Sequence, residues 1–196
     1  MSTNKLCIGL FGFGVVGKGL YDVLHSTPTL QASINKICIK NIDKKRSLAA
    51  EYFTDNAETL LDDENINVIV ELIDDADAAF IIVKKALQNG KAVVSANKKM
   101  IAEHFEELYA LQQKYNMPFL YEASCCASMP IIRNLEEYYD NDLLQSFRGI
   151  INGSTNFILT KIFQEQVEFT EALLLAKQLG FAESNPTLDI GGFDAA

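Results

Sequence analysis

The run Gly12-Phe13-Gly14-Val15-Val16-Gly17 fits the pattern G-x-G-x-x-G. Glycines at that spacing allow a tight turn, a close approach of backbone to a diphosphate, and close packing of a helix on a sheet. The free N–H groups and partial positive charge at the helix start then favour phosphate. Gly12, Phe13, Gly14, Val15, Val16 and Gly17 are therefore the candidate dinucleotide cradle. Lys40, followed by Lys44, Lys45 and Arg46, stands after the second apolar segment. That is where such a site selects its ribose, and a basic residue there accepts a 2′-phosphate. The expectation is NADP(H), with NAD(H) as the alternative cofactor. The competing reading of the basic cluster is a solvated loop.

Ser95-Ala96-Asn97-Lys98-Lys99 follows another apolar segment. Ligands gather at the carboxyl ends of strands in open parallel sheets. Ser95 and Lys98 are thus candidates beside a cofactor, Lys98 to polarise a carbonyl or hold a carboxylate; a plain surface lysine is the rival reading. Cys125 and Cys126 are adjacent, a spacing that suits neither zinc nor an easy disulfide. One of them is either an activated thiolate or simply a small packed residue. Cys7 and Cys38 lie inside strand patterns and read as inert core. The glycine-rich segment 180–194 carries Glu183, Asp189 and Asp194, which can face a cationic substrate group or merely solvent. His25 and His104 sit in helical, mixed-polarity stretches and read as solvated. Zinc sites and Ser–His–Asp triads both need a placed imidazole. Chemistry therefore falls to Lys, Asp, Glu or a borrowed cofactor.

The elements that must position these residues alternate. Short apolar runs over 6–11, 34–39, 68–73, 92–95 and 118–122 read as strands, most of them buried on both faces. Helical spacing is found over 15–25, after 46 through 52, from 76 to Gly90, and over 103–115. Asp74 and Asp75 are placed to cap the third of these helices. Alternation of this kind predicts an α/β fold, a doubly wound parallel sheet with right-handed crossovers. The rhythm changes near residue 127. Beyond it the pattern predicts helices over 129–139, 154–163 and 170–179, and a strand over 147–152. The expected domains are a dinucleotide-binding domain over 1–127 and the start of a smaller α+β domain over 128–196.

Composition narrows the classes. The chain has 196 residues, 48% hydrophobic and 22% charged, enough to build a core. A net charge of −9 disfavours nucleic acid as a partner. No apolar run approaches the ~20 residues of a bilayer span, and 1–5 lacks the apolar stretch of a signal peptide. A cytoplasmic protein with no membrane partner is expected.

Taken together the motifs resemble homoserine dehydrogenase. The specific stretches are G-L-F-G-F-G-V-V-G at 9–17, V-E-L-I near 70, G-K-A-V-V-S-A-N-K at 90–98, E-A-S at 122–124, P-I-I-R at 130–133, G-I-I-N-G-S-T-N-F-I-L at 149–159 and G-F-A-E-S-N-P-T-L-D-I-G-G-F-D-A-A at 180–196. The resemblance implies a Rossmann-type domain and the start of a substrate and dimerisation domain. It implies NAD(P)H-dependent reduction of aspartate semialdehyde to homoserine, in threonine and methionine biosynthesis, by an enzyme that is a homodimer at full length. It places Glu183 and Asp194 on the substrate, with Gly180 adding backbone contacts and Asp189 in the acidic shell. Lys98 falls near the carbonyl and nicotinamide, and Lys98 and Asp194 become the catalytic residues. Glu122, Cys125, Ala127 and Met129 match a stretch that holds a structural sodium ion, largely through carbonyl oxygens.

Three departures stand out. Asp74-Asp75 and Cys125-Cys126-Ala127-Ser128 occupy places where the family carries glycines, and the family's proton-donor lysine lies past Ala196. The resemblance therefore implies a truncated form that keeps nucleotide affinity and turns over poorly. Two rivals remain open at this level: a non-catalytic nucleotide-binding module, and an aldehyde dehydrogenase using Cys125 or Cys126.

Overall fold

The computed structural model describes residues 5–126, 129–182 and 186–193. The chain divides into two compact units, Met1–Asp140 and Asn141–Ala196.

The first unit is a six-stranded parallel sheet. Its strands are β1 (Leu6–Phe11), β2 (Ala32–Cys38), β3 (Phe53–Thr54), β4 (Val68–Glu71), β5 (Ala92–Ser95) and β6 (Phe119–Leu120). They lie in the order β3-β2-β1-β4-β5-β6. This is the winding of Rossmann sheets, with the switch point between β1 and β4. Helices α1 (Val15–Ser26), α2 (Glu58–Leu61), α3 (Ala76–Gln88) and α4 (Lys98–Tyr115) connect the strands, and α5 (Ile131–Glu137) follows β6.

Both faces of the sheet are covered, so its strands are apolar throughout rather than alternating. Phe11, Ile69 and Val93 point into a core with Leu60, Val83, Leu87, Met100 and Leu108. Their neighbours Leu10, Val68 and Val70 point the other way, into a core with Ile34 and Ile37 that packs Leu20, Tyr21 and Leu24 of α1. Adjacent residues thus serve opposite cores, as the two-residue period requires. Gly9 sits on the crowded first face: a Cβ there would stand 3.0 Å from Ile69 and 3.2 Å from Leu60.

The sequence pattern missed β3 and α2, which are too short to show a period. It started α4 late, because the chain is already helical from Lys98 and its backbone breaks at His104, with φ −128° and ψ 18°. The imidazole there is half-buried and stacks on Phe80 at 3.9 Å rather than standing in solvent. His25 is exposed and stacks on Tyr21. The 46–52 helix shrinks to a 3-10 turn at Ala50–Tyr52.

The second unit holds α6 (Gly153–Glu165), α7 (Phe169–Gln178) and α8 (Thr187–Ile190). Ile158, Ala172, Ala176 and Ala182 form its small core, with Phe157, Ile162, Val167 and Leu173 around it. The strand expected over 147–152 does not form. A strand needs a ladder partner for its N–H and C=O groups, and the described residues of this unit contain no strand to supply one. Phe147, Ile150 and Ile151 are instead exposed, and Asn152 becomes the cap of α6. Among the described residues no helix is long and apolar enough to cross a membrane.

Candidate functional site

The turn between β1 and α1 shows what each glycine does. Gly12 has φ +93°, a left-handed backbone that side chains resist. A Cβ on it would stand 2.7 Å from the Leu72 carbonyl oxygen, so the turn lies directly against the end of β4. A Cβ on Gly17 would stand 2.4 Å from the Gly12 carbonyl oxygen, so only glycine lets α1 fold back onto its own approach. Gly14 is the reverse case: nothing lies within 4 Å of its Cβ position. It is exposed and is the N-cap of α1, with no side chain bonded to the helix start. Val15 beside it is 93% exposed. The first turn of α1 thus offers unoccupied backbone donors to an anion over open space. Two glycines are required by the fold and one by access.

Phe13 is half-buried and anchors the turn. Its ring packs edge-on against Tyr21 at 6.3 Å and against Phe53 at 5.4 Å. The Arg46 guanidinium lies 5.3 Å over the same Phe53 ring, and its Nη1 donates to the Lys44 carbonyl at 2.7 Å. Asn41 Oδ1 accepts from the N–H groups of Asp43 and Lys44, which folds this loop into a turn. Lys40, the first residue of the basic cluster, is exposed after β2. Within that cluster it is Arg46 that a chain of rings, Phe13 to Phe53, holds at the glycine turn, a link that residue types alone do not reveal.

Across the switch point, Asp75 caps α3 by accepting from the Ala78 N–H at 3.1 Å, while Asp74 beside it is exposed. Further along, Asn97 caps α4 through the Met100 N–H at 3.0 Å. Lys98 is therefore the first residue of α4 and is exposed. Ser95 is fully buried; its hydroxyl donates to Glu71 at 2.5 Å. Ser95 can border a ligand only through its backbone, since its side chain turns into the protein.

After β6 the chain makes a 3-10 turn over Glu122–Ser124. The Glu122 carboxylate accepts from the N–H groups of Ile132 at 3.1 Å and Arg133 at 2.9 Å, and so holds the start of α5. Tyr121 donates to Glu136 at 3.0 Å, and burial together with that carboxylate pushes its hydroxyl up to about 12. These bonds are why the first unit runs on to Asp140. Cys125 is exposed, with Sγ 3.6 Å from the Ser124 hydroxyl, and Met129 is also exposed. Ala127 lies outside the described residues. Among those described, no three His, Cys, Asp or Glu side chains gather as a metal site.

The second unit arranges several polar groups around the start of α6. Asn152 Oδ1 accepts from the Thr155 N–H at 2.8 Å and its Nδ2 donates to Asp189 at 2.9 Å. Ser154 donates to the Phe181 carbonyl at 2.5 Å. Gly180 closes α7 with φ +79°, where the Phe181 N–H returns to Ala176. Gly180 and Asp189 are thus brought to the start of α6 by Asn152 and Ser154, two residues sequence reasoning did not assign. Glu183 and Asp194 lie outside the described residues.

The family model "Homoserine dehydrogenase, NAD binding domain" matches residues 12–122, and the model "Homoserine dehydrogenase" matches residues 130–196. The homoserine dehydrogenase of Helicobacter pylori is 38% identical over 98% of this chain and 47% of its own length. The crystal structure of a homoserine dehydrogenase from Thiobacillus denitrificans superimposes with a TM-score of 0.88 at 35% identity, over 97% of this chain and 46% of that one. A hyperthermophilic archaeal homoserine dehydrogenase in complex with NADPH gives a TM-score of 0.78 at 28% identity, over 97% of this chain and 66% of that one. The chain spans about half the length of the curated relatives it matches. With its nucleotide-type glycine turn and both halves matched, the chain belongs to the homoserine dehydrogenase family.

Proposed function

We propose that this chain carries the nucleotide site and part of the substrate site of an NADP(H)-linked homoserine dehydrogenase, interconverting aspartate semialdehyde and homoserine. The observation that carries the reading is the open backbone at Gly14 between two glycines whose Cβ atoms the fold forbids. The residues fit a dinucleotide: the cradle is bare, the helix start has free donors, and cationic side chains stand beside it. The cofactor, when bound, supplies the hydride.

Every other role belongs to the protein. Gly14, Val15 and Val16 present N–H groups to the diphosphate. Arg46 and Lys40 neutralise a 2′-phosphate, and Arg46 is the stronger member because Phe53 holds its planar fork in place. The archaeal relative that binds NADPH supports the phosphorylated form. Lys98, at the carboxyl end of β5, stabilises negative charge on the substrate oxygen. Glu183, Asp189 and Asp194 hold the substrate ammonium with Gly180 backbone groups, and so align the aldehyde carbon. Catalysis is assigned to Lys98 and Asp194.

A structural sodium ion is assigned to Glu122, Cys125, Ala127 and Met129. The donor set suits a hard cation if main-chain carbonyls supply it. The Glu122 carboxylate is committed to α5, and its carbonyl, which accepts from Cys125, keeps a second lone pair. The functional boundary is placed near residue 127, between the two matched segments. A cytoplasmic homodimer is the proposed form of the whole protein.

The test is a titration of the purified chain with NADPH and NADH, followed by nicotinamide fluorescence. Saturable NADPH binding at least about tenfold tighter than NADH supports the reading. Absence of binding, or equal affinity, overturns the cofactor assignment. A thioester route through Cys125 has less support: its Sγ meets the Ser124 hydroxyl, and among the described residues no imidazole is bonded to it.

A further inference from the structure

Glu71 ends β4 with a carboxyl group that is 0% exposed. Both oxygens are used. One accepts from the Ile73 N–H at 2.7 Å and the other from the Ser95 hydroxyl at 2.5 Å. Ser95 Oγ accepts from the Asn97 N–H at 3.1 Å, and Asn97 Nδ2 donates to the Ile73 carbonyl at 3.1 Å. The four residues close a ring across the carboxyl ends of β4 and β5. Register explains it: Glu71 and Ser95 are direct partners in the parallel ladder, so their side chains share a face.

Burying a carboxyl group is costly, and desolvation here pushes Glu71 above its ordinary range. An apolar residue at this place would avoid that cost. Holding β4 to β5 does not require the ring, because their ladder already runs from Val68 and Ala92 to Glu71 and Ser95. Backbone bonds from the Leu72 N–H to Phe11 and from the Ala96 N–H to Glu71 hold the first residue past each strand, and the ring extends that hold to Ile73 and Asn97. On one side is the segment through Leu72 and Ile73, which touches Gly12. On the other is Asn97, which caps α4 and so sets Lys98.

In a doubly wound sheet the second mononucleotide half, built on β4 and its successors, takes the second nucleotide of the dinucleotide. We propose that Glu71 is a positioning residue for the nicotinamide half of the cofactor site, acting through Ser95, Asn97 and Ile73. The inference rests on the dinucleotide reading above and adds to it which half of the ligand this buried group serves.

Two ligands separate the halves. NADPH spans the whole site, and 2′,5′-ADP occupies only the adenosine half. In the full 196-residue chain, Glu71→Leu is expected to weaken NADPH about tenfold or more and to leave 2′,5′-ADP within about twofold. Glu71→Gln keeps an acceptor for Ile73 and can only donate to Ser95; it is expected to recover NADPH affinity to within about threefold of the parent. If Glu71→Leu does not fold, Ser95→Ala breaks the same ring while keeping the carboxyl group, with the same selective loss of NADPH expected. Equal weakening of both ligands, or unchanged NADPH affinity in a folded Leu or Ala variant, overturns the proposal. A parent chain that binds neither ligand overturns the dinucleotide reading itself, and this inference with it.

Discussion

Alanine placed at each glycine of the β1–α1 turn separates folding from binding. At Gly17 the new methyl would meet a backbone carbonyl oxygen at 2.4 Å. No side chain can swing aside there, so α1 or the turn must move. Overpacking of this kind costs about 1–3 kcal/mol, and with backbone as the obstacle the upper end is expected. For a domain of this size that lowers Tm by roughly 4–10 °C. At Gly12 the methyl meets Leu72 at 2.7 Å and the left-handed φ of +93° adds about 1–2 kcal/mol. At Gly14 there is no obstacle within 4 Å and φ is −82°. Stability should stay within about 0.5 kcal/mol of the parent. Yet that methyl projects where the diphosphate must approach, so NADPH affinity should fall about tenfold or more. Thermal unfolding followed by circular dichroism reads the first quantity and fluorescence titration the second. A Gly14→Ala chain that melts normally and still binds NADPH like the parent would refute the reasoning, as would a Gly17→Ala chain with an unchanged Tm.

Arg46→Ala should weaken NADPH about tenfold and leave NADH within about twofold, because only the 2′-phosphate is lost as a partner; calorimetry with both nucleotides checks it. Cys38 is buried in β2, and burial pushes its thiol up to about 11 from 9.0. Its thiolate fraction at pH 8 is then about one in a thousand, so iodoacetamide should label exposed Cys125 first, as peptide mapping will report. The same shift makes the unfolded state lose its proton first. Stability should therefore fall as pH rises from 9.0 to about 11, and Cys38→Ala should flatten that part of the urea-stability profile. Asn152→Ala removes the cap of α6 and the amide that holds Asp189, at a cost of about 1–2 kcal/mol to the second unit; hydrogen exchange within 153–165 should accelerate.

Legibility in the sequence followed the range over which each constraint acts. The glycine turn was readable because its demands, a left-handed residue and two close approaches, are met within six positions. The doubly wound parallel sheet was readable because strands buried on both faces alternate with helices of clear period. Glu71 was visible in V-E-L-I but its task was not. Its partner Ser95 comes 24 positions later and becomes a neighbour only once β4 pairs with β5. Arg46 was read as one charge among four, since the ring that holds it, Phe53, belongs to a two-residue strand too short to announce itself. The apolar run at 147–152 looked like a strand because composition cannot tell a paired extended segment from an unpaired one. Asp75 was read rightly as a cap, because capping depends only on the next turn of helix. Lys98 was placed correctly after β5, though the helix it opens begins earlier than its apolar period suggested.

Hydrogen exchange of the chain with and without saturating NADPH tests the central claim most directly, since it locates the diphosphate by the amides it covers. The account predicts slowed exchange at 14–17, where no side chain caps the first turn of α1, with further protection at 40–46 and 96–98. Saturated binding that leaves 14–17 exchanging as fast as in the free chain would contradict it.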